Sequence, residues 1–298
     1  MTTYAFIGLG NMGGGMAAVL AGAGHAVTAS DLSASALEAA VSAGCARAAS
    51  AEEAAREADV VITMLPSGGV VRSVYESAVL PAARPGALVI DCSTIDVETA
   101  RALSTAARER GLRPADAPVS GGVAAAAAGT LTFMVGCDPA DFANVERVLT
   151  PMAKAVVQAG EAGAGQAAKI CNNMLLGISM IGVCEAFALA ERLGLSPDRF
   201  FEIARTSSGQ CWSLTSYAPW PGLVESAPSN RDYEGGFSTA MMLKDLKLAQ
   251  AAAAAAGAAA PLGAQAEGMY ALFERLGYGA KDFSAILELL RGQPETLD

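Results

Sequence analysis

The stretch that decides the fold is Phe6-Ile7-Gly8-Leu9-Gly10-Asn11-Met12-Gly13, which ends a short apolar run near the start of the chain. It reads G-x-G-x-x-G between a predicted strand and a predicted helix, the context that this motif requires. The first glycine permits a tight turn, the second lets a pyrophosphate approach the backbone, and the third lets helix and strand pack closely. The stretch predicts a dinucleotide site made of Gly8, Leu9, Gly10, Asn11, Met12 and Gly13.

An acidic residue stands where such a site needs one. Asp31 directly follows the second apolar run. A carboxylate at this place can accept hydrogen bonds from the ribose hydroxyls, and it repels a 2′-phosphate. Asp31 could also simply begin the next helix, as Ser33 could. Together with the glycine turn, it indicates NAD rather than NADP as the cofactor.

Short apolar runs alternate with helix-like segments through the first half of the chain. The runs lie at 4–8, 26–30, 60–65, 87–91, 131–135 and around 156–157. Most are continuous in apolar residues, as expected for parallel strands buried on both faces. We therefore predict an α/β Rossmann-type domain over residues 1–163, with a doubly wound, mostly parallel sheet.

The second half shows no strand alternation. Residues 165–194 can form one long helix, and further helical segments lie at 196–206, 238–257, 261–276 and 282–291. A loop rich in Pro, Gly, Ser and aromatic residues separates two of them at 207–237. We predict an all-α domain over residues 164–298 that begins with a long interdomain helix.

Composition limits the class of protein. Thirty Asp and Glu against 20 Lys and Arg give a net charge of −10, which argues against nucleic acid or an anionic membrane as partner. No run of about 20 apolar residues lacks turn formers or charges, so we expect no membrane span. We find no secretion signal. The six cysteines form no CxxC pair and fit no zinc spacing, so we expect a reduced, cytoplasmic protein without a metal site.

A nicotinamide enzyme that acts on an alcohol needs a group to exchange a proton. The single histidine, His25, lies between the first helix and the second strand, away from the strand ends where ligands bind. Lys169 and Asn173 are four residues apart, so they share one face of an apolar helix. Such a lysine can also extend to solvent at a domain edge, and the residues alone leave both interpretations open.

Two further segments are candidates. Lys244 and Asp245 form a polar pair in an apolar helix, which could equally be an ordinary salt bridge. In Asp116-Ala117-Pro118-Val119-Ser120-Gly121-Gly122, consecutive glycines expose backbone N–H groups that can hold a carboxylate, or they form a tight turn only.

Eight stretches carry a resemblance to a known family: 6–13, 91–96, 116–122, 129–136, 165–177, 235–237, 244–246 and 281–284. Together they resemble the 3-hydroxyisobutyrate dehydrogenase group of the β-hydroxyacid dehydrogenases over nearly the whole chain. The resemblance implies that Lys169 is the catalytic acid and base. It implies a substrate site formed by Ser120, Gly121, Gly122, Asn173, Trp212, Phe237, Lys244 and Asp245. It adds Leu65, Pro66, Thr94 and Lys244 to the cofactor site, and it implies a homodimer or homotetramer through the helical domain.

The expected reaction is the reversible, NAD-dependent oxidation of 3-hydroxyisobutyrate to methylmalonate semialdehyde, a step of valine catabolism on a small anionic β-hydroxyacid. Gly15 stands where a proline is common in the family, which should loosen the first helical turn but leaves the three glycines intact. Gln210 stands where some members carry a basic residue, so the substrate is less defined than the reaction. Alternatives are L-serine, or tartronate or succinic semialdehyde. A non-catalytic dinucleotide-binding interaction module is another alternative, against which the presence of Lys169 argues.

Overall fold

The structure, a computed structural model, describes residues 2–292. Backbone contacts divide the chain into two compact units between Lys169 and Ile170. The division lies inside the long helix, shortly after the boundary predicted between residues 163 and 164.

All nine strands found in residues 2–292 belong to one sheet. They are β1 (Thr3–Ile7), β2 (Ala26–Ser30), β3 (Ala46–Arg47), β4 (Val60–Thr63), β5 (Leu88–Asp91), β6 (Arg113–Asp116), β7 (Val119–Ser120), β8 (Leu131–Cys137) and β9 (Ala153–Gly160). The order is β3-β2-β1-β4-β5-β6-β8-β7, with β9 also paired to β8. β1 to β6 are parallel to one another, and β8 is antiparallel to β6 and β7. The 3-2-1-4-5-6 order is that of dinucleotide-binding sheets, so the predicted fold class is confirmed.

Three strands were not predicted, because their sequences lack an apolar run. β3 and β7 have two residues each, and β6 contains Pro114 between a charged residue at either end. Proline normally argues against a strand in the middle of a sheet. β6 forms because Ala115 and Asp116 pair with β5 on one side and with β8 on the other.

Helices cover the sheet. The first unit contains α1 (Gly13–Gly22), α2 (Ala34–Ser42), α3 (Ala51–Arg56), α4 (Gly68–Val74), α5 (Leu80–Ala82), α6 (Val97–Glu109), α7 (Gly122–Ala128) and α8 (Phe142–Leu149), with a π-helical turn at Tyr75–Val79 and a 3₁₀ turn at Thr150–Met152. Side chains that accept a hydrogen bond from the first turn begin four of them: Ser33, Ser50, Ser67 and Asp96. Ser33, which the sequence offered as a possible start of the second helix, is among them.

Alternate residues of the central strands enter two separate cores. Tyr4 and Phe6 of β1 belong to one apolar cluster, whereas Ala5 and Ile7 belong to another. Because successive side chains of a strand point to opposite faces, the two clusters lie on the two sides of the sheet. This burial on both faces explains why the strands are continuous in apolar residues.

The second unit is helical. Its elements are α9 (Ala164–Arg192), which begins in the first unit, α10 (Pro197–Ala204), α11 (Trp212–Thr215), α12 (Thr239–Ala256), α13 (Pro261–Arg275) and α14 (Ile286–Arg291), with 3₁₀ turns at Pro228–Arg231, Tyr278–Ala280 and Phe283–Ala285. No strand follows Gly160 within the described range, as predicted. The predicted loop at 207–237 differs in containing α11 and a 3₁₀ turn, and the predicted helix at 282–291 starts as a 3₁₀ turn.

The length and composition of α9 bear on the expectation that the chain has no membrane span. Between residues 2 and 292 it is the one helix long and apolar enough to cross a membrane, and 44% of its most apolar window is buried. The core helix of a globular domain passes the same test, so this is weak evidence for a span. Met180, Cys184 and Phe187 of α9 are fully buried in the apolar core of the second unit, as in a core helix.

The glycine turn gives a matched test of the fold. A Cβ at Gly13 would lie 1.9 Å from the carbonyl oxygen of Gly8, whereas a Cβ at Gly10 would meet nothing within 4 Å. Gly13→Ala should therefore destabilise the chain by about 2–4 kcal/mol, while Gly10→Ala should change stability by about 0.5 kcal/mol at most. Urea unfolding without cofactor measures both, and equal stabilities would contradict the role of close packing at Gly13.

Candidate active site

The predicted cofactor residues gather at the carboxyl ends of the parallel strands. Ile7 pairs with Ser30 on one side and Thr63 on the other, and Thr63 pairs with Asp91, so the following loops begin at one edge of the sheet. These loops carry the glycine turn, Asp31, Leu65, Pro66 and Thr94. The strand order reverses between β1 and β4, which is where ligands bind in such sheets.

The glycine turn fits a pyrophosphate. Gly8 has a φ of 95°, and its N–H donates to the carbonyl of Ser30. α1 then begins with no side-chain cap and no acidic residue in its first turn. The first N–H groups of a helix without a cap can bind phosphate oxygens. The open space at Gly10 lets a ligand approach the backbone.

Asp31 is held against the same turn. Its Oδ2 accepts the N–H of Leu9 at 2.6 Å, and its Oδ1 accepts the N–H of Ser33 at 2.7 Å. The carboxylate therefore lies beside the glycine turn rather than only capping α2, where Ser33 itself is the cap. Its position suits the recognition of ribose hydroxyls.

A buried network that the sequence did not predict ties the cofactor loops together. Oδ1 of Asp91 accepts hydrogen bonds from Thr63 Oγ1 at 2.7 Å and Ser93 Oγ at 2.6 Å. Ser93 Oγ in turn accepts the N–H of Leu65 at 2.8 Å. Burial raises the pKa of Asp91. The network fixes the loop after β4 relative to the loop after β5.

Asp116 anchors the start of α9. This buried residue accepts the N–H of Gly163 on Oδ1 at 2.7 Å and the N–H of Gln166 on Oδ2 at 2.9 Å. Gly163 directly precedes α9 and Gln166 is its third residue, so Asp116 supplies the cap that a glycine cannot. Desolvation raises the pKa of Asp116 to about 6, although these hydrogen bonds lower it. The sequence singled out Asp116, but it did not predict this contact.

Lys169 follows on the second turn of the helix that Asp116 holds. It is only 7% exposed, so it does not extend to solvent as the alternative interpretation required. Three residues earlier, the Gln166 side chain contacts the loop at residues 93–95. Within the first unit, Lys169 therefore lies three residues after a side chain that contacts the loop at residues 93–95.

The predicted glycine loop follows β7 and has a backbone conformation that favours glycine. Ser120 pairs with Thr132 at the end of β7, and Gly121 and Gly122 have φ values of 137° and 74°. α7 then begins at Gly122 without a side-chain cap. These N–H groups can bind a carboxylate.

A second set of predicted residues meets within the helical unit. Asn173 Nδ2 donates to Asp245 Oδ2 at 2.5 Å, and Lys244 Nζ lies 3.4 Å from Asp245 Oδ1. Asn173 and Asp245 are almost fully buried. Oδ1 accepts no hydrogen bond within the described residues, so its contact with Lys244 is an ion pair only. Asp245 therefore orients Asn173, so the pair at 244–245 is not an ordinary surface salt bridge.

The two predicted aromatic residues join one cluster. The exposed Trp212 stacks on Tyr217, with ring centroids 4.8 Å apart, and Phe237 contacts Phe283 edge-on. Buried Asp282 accepts the Tyr217 hydroxyl and the N–H of Phe237, both at 2.8 Å. Asp282, a residue not predicted for the site, therefore holds Phe237 directly and Trp212 through the ring of Tyr217.

Comparisons with known proteins agree with this arrangement. The sequence profile described as the NAD binding domain of 6-phosphogluconate dehydrogenase matches residues 3–160, and the profile described as NAD-binding of NADP-dependent 3-hydroxyisobutyrate dehydrogenase matches residues 163–290. A probable 3-hydroxyisobutyrate dehydrogenase of Mycobacterium tuberculosis is 50% identical over 295 residues, which cover 99% of this chain and 100% of the relative.

Two other similarities concern serine. The NAD-dependent L-serine dehydrogenase of Pseudomonas aeruginosa is 48% identical over 97% of this chain and 98% of its own. A solved structure described as M. tuberculosis 3-hydroxyisobutyrate dehydrogenase with L-serine has a TM-score of 0.94 and 51% identity, over 98% of this chain and 99% of that one.

An NAD-binding Rossmann domain followed by a matching helical domain defines a nicotinamide-dependent oxidoreductase. The chain belongs to the 3-hydroxyisobutyrate dehydrogenase family.

The raised pKa of Asp116 predicts a pH-dependent stability. Its folded value of about 6 exceeds the ordinary 3.8, so unfolding releases a proton between about pH 4 and 6 and stability falls as the pH rises through this range. At 1.36 kcal/mol per pKa unit, the decrease is about 3 kcal/mol. Because asparagine does not titrate, the stability of the wild type relative to Asp116→Asn should fall by about 2 kcal/mol from pH 4 to pH 7 in urea unfolding, the rest of the decrease lying outside this range.

The exposed Asp59 provides a control, because its contribution to stability should depend on pH in the opposite direction. A hydrogen bond from the backbone of Thr3 lowers its pKa, so its contribution is lost as the pH falls. A pH-independent difference between wild type and Asp116→Asn would contradict a buried, titrating carboxyl at 116.

Proposed function

We propose that the chain catalyses the reversible, NAD-dependent oxidation of 3-hydroxyisobutyrate to methylmalonate semialdehyde, with Lys169 as the general acid and base. The observation that carries the proposal is the buried Lys169 on the second turn of α9, whose first turn is bonded to Asp116 and to the loop at 93–95. The names of relatives at about half identity support the substrate.

Each group has a defined task in this proposal. The glycine turn and Asp31 would hold NAD⁺, which would supply the acceptor for the hydride of the hydroxymethyl carbon. Lys169 Nζ takes the hydroxyl proton during oxidation and returns it during reduction. The glycine turn binds the pyrophosphate, and Asn173, oriented by Asp245, binds the substrate.

Local donors must attract the substrate anion, since a net charge of −10 opposes it. We assign this task to the hydroxyl of Ser120, the N–H groups of Gly121 and Gly122, and the ammonium of Lys244. Their hydrogen bonds to a carboxylate would be charge-assisted and therefore stronger than neutral ones.

L-Serine is the second candidate, favoured by the relatives whose descriptions mention it. Both substrates contain a hydroxymethyl group and a carboxylate on one carbon, and they differ in a methyl against an ammonium group. Trp212 and Phe237 offer apolar surface, which suits the methyl group, because burying an ammonium group without an acceptor is unfavourable.

NAD is the proposed cofactor in preference to NADP. A 2′-phosphate beside the glycine turn would approach the carboxylate of Asp31, which repels it.

A place in valine catabolism follows from the proposed substrate. A cytoplasmic homodimer or homotetramer remains the prediction for the assembly.

A screen for NADH and NADPH formation tests the proposal. Purified protein is assayed with 3-hydroxyisobutyrate, L-serine, glycerate and 4-hydroxybutyrate, each with NAD⁺ and with NADP⁺. We expect the highest kcat/KM for 3-hydroxyisobutyrate with NAD⁺. A higher value for L-serine would replace the substrate, and no turnover of any of the four would leave a binding module as the better interpretation.

Replacing the lysine tests the mechanism. Lys169→Ala should lower kcat by about 10²–10⁴-fold because the proton acceptor is removed, while the KM for NAD changes little. Wild-type oxidation should be faster at alkaline pH, since the neutral amine is the base. Lys154→Ala, which removes an exposed lysine of β9, is the matched control. Near-normal turnover of Lys169→Ala in steady-state kinetics would rule out the assignment.

A further inference from the structure

The side chain of Gln166 makes a buried contact in the first unit to which the proposed reaction assigns no separate task. Its Nε2 donates to the carbonyl of Ser93 at 2.7 Å, and its Oε1 accepts the N–H of Ile95 at 3.0 Å. The residue is fully buried. A primary amide presents one donor group and one acceptor side by side, so it matches the two backbone groups that flank residue 94.

The contact joins the two parts that the reaction must align. Ser93 belongs to the network that fixes the loop after β4, through its bond from Leu65. Thr94 is one of the proposed cofactor residues. On the other side, Lys169 lies three residues after Gln166 on the same helix, so any shift of this turn displaces the lysine.

We propose that Gln166 is a positioning residue for the reaction: its side-chain amide fixes the first turn of α9, and with it Lys169, against the cofactor loop at residues 93–95. The inference rests on the proposed role of Lys169. A displacement of about 1 Å at a reacting group can cost about 10²-fold in rate, so the effect should appear in kcat.

Gln166→Met keeps the length of the side chain but removes both hydrogen bonds. We expect kcat to fall about 10- to 100-fold, with the KM for NAD within about threefold of wild type. Because hydride transfer becomes slower, the primary deuterium isotope effect with substrate labelled at the hydroxymethyl carbon should increase. Gln166→Glu keeps the acceptor for Ile95 but sets a carboxylate oxygen, which cannot donate, against the carbonyl of Ser93, so it should not restore kcat.

Two controls separate positioning from a loss of stability. Val145→Ala truncates a fully buried side chain of α8 and should lower the melting temperature without changing the isotope effect. In a Lys169→Ala background, Gln166→Met should change kcat by less than about threefold, because residues that act as a unit are non-additive. A full additional loss in that background, or an isotope effect equal to that of Val145→Ala, would overturn the inference.

Hydrogen exchange tests the contact without turnover. The amide of Ile95 and those of residues 164–169 should exchange faster in Gln166→Met than in wild type, whereas Val145→Ala should leave them relatively protected. Unchanged exchange would refute the contact even in an active enzyme. Faster exchange in a protein whose Lys169→Ala variant retains turnover would instead refute the proposed function and leave the contact in place.

Discussion

The carboxylate of Asp116 caps α9 from outside the helix, and the position of the candidate site depends on this interaction. Two glycines make it possible: a Cβ at Gly165 would lie 2.8 Å from Asp116 Oδ2, and one at Gly136 would lie 2.5 Å from Oδ1. The backbone at the start of α9 therefore lies too close to the sheet edge for a side chain at either glycine. Once this end is fixed, the regular geometry of the first turns of α9 determines where Lys169 lies.

The same edge of the sheet contains two buried carboxyl groups in register, Asp91 on β5 and Asp116 on β6. Burial raises the pKa of both, and the charge of Asp91 adds to the rise at Asp116. Asp116 accepts backbone N–H groups on both oxygens, whereas Asp91 accepts its donors on Oδ1 only, and its buried Oδ2 accepts no hydrogen bond within the described residues. Each hydrogen bond to these carboxyl groups ties one loop or helix start to the sheet edge, and breaking it would leave a buried polar atom unpaired. These acids therefore organise loops instead of binding the anionic cofactor and substrate.

The sequence predicted the parts that depend on local pattern. The glycine turn, Asp31 and the continuous apolar strands follow from short-range rules, and so does the length of α9. It did not predict β6, because Pro114 and Arg113 hide a strand that only its neighbours stabilise. The bonds from Gln166 to the loop at 93–95 join residues far apart in the chain, and no local signal indicates them. The sequence indicated Lys169 as a candidate, but only the folded structure shows that this lysine is buried.

In the proposed site, the groups assigned to the reaction and those assigned to substrate choice lie on different kinds of element. The glycine turn, the strand ends and the start of α9 are regular elements. The aromatic side chains at 212 and 237 instead lie in or beside the loop at 207–237, where Asp282 holds Phe237 through its backbone N–H. Because the bond is to the backbone, the side chain at 237 can change while the loop keeps its shape. In the proposed site, a substitution at 237 would change the surface that meets the methyl or ammonium group of the substrate, and two relatives of 48% identity are named for different substrates.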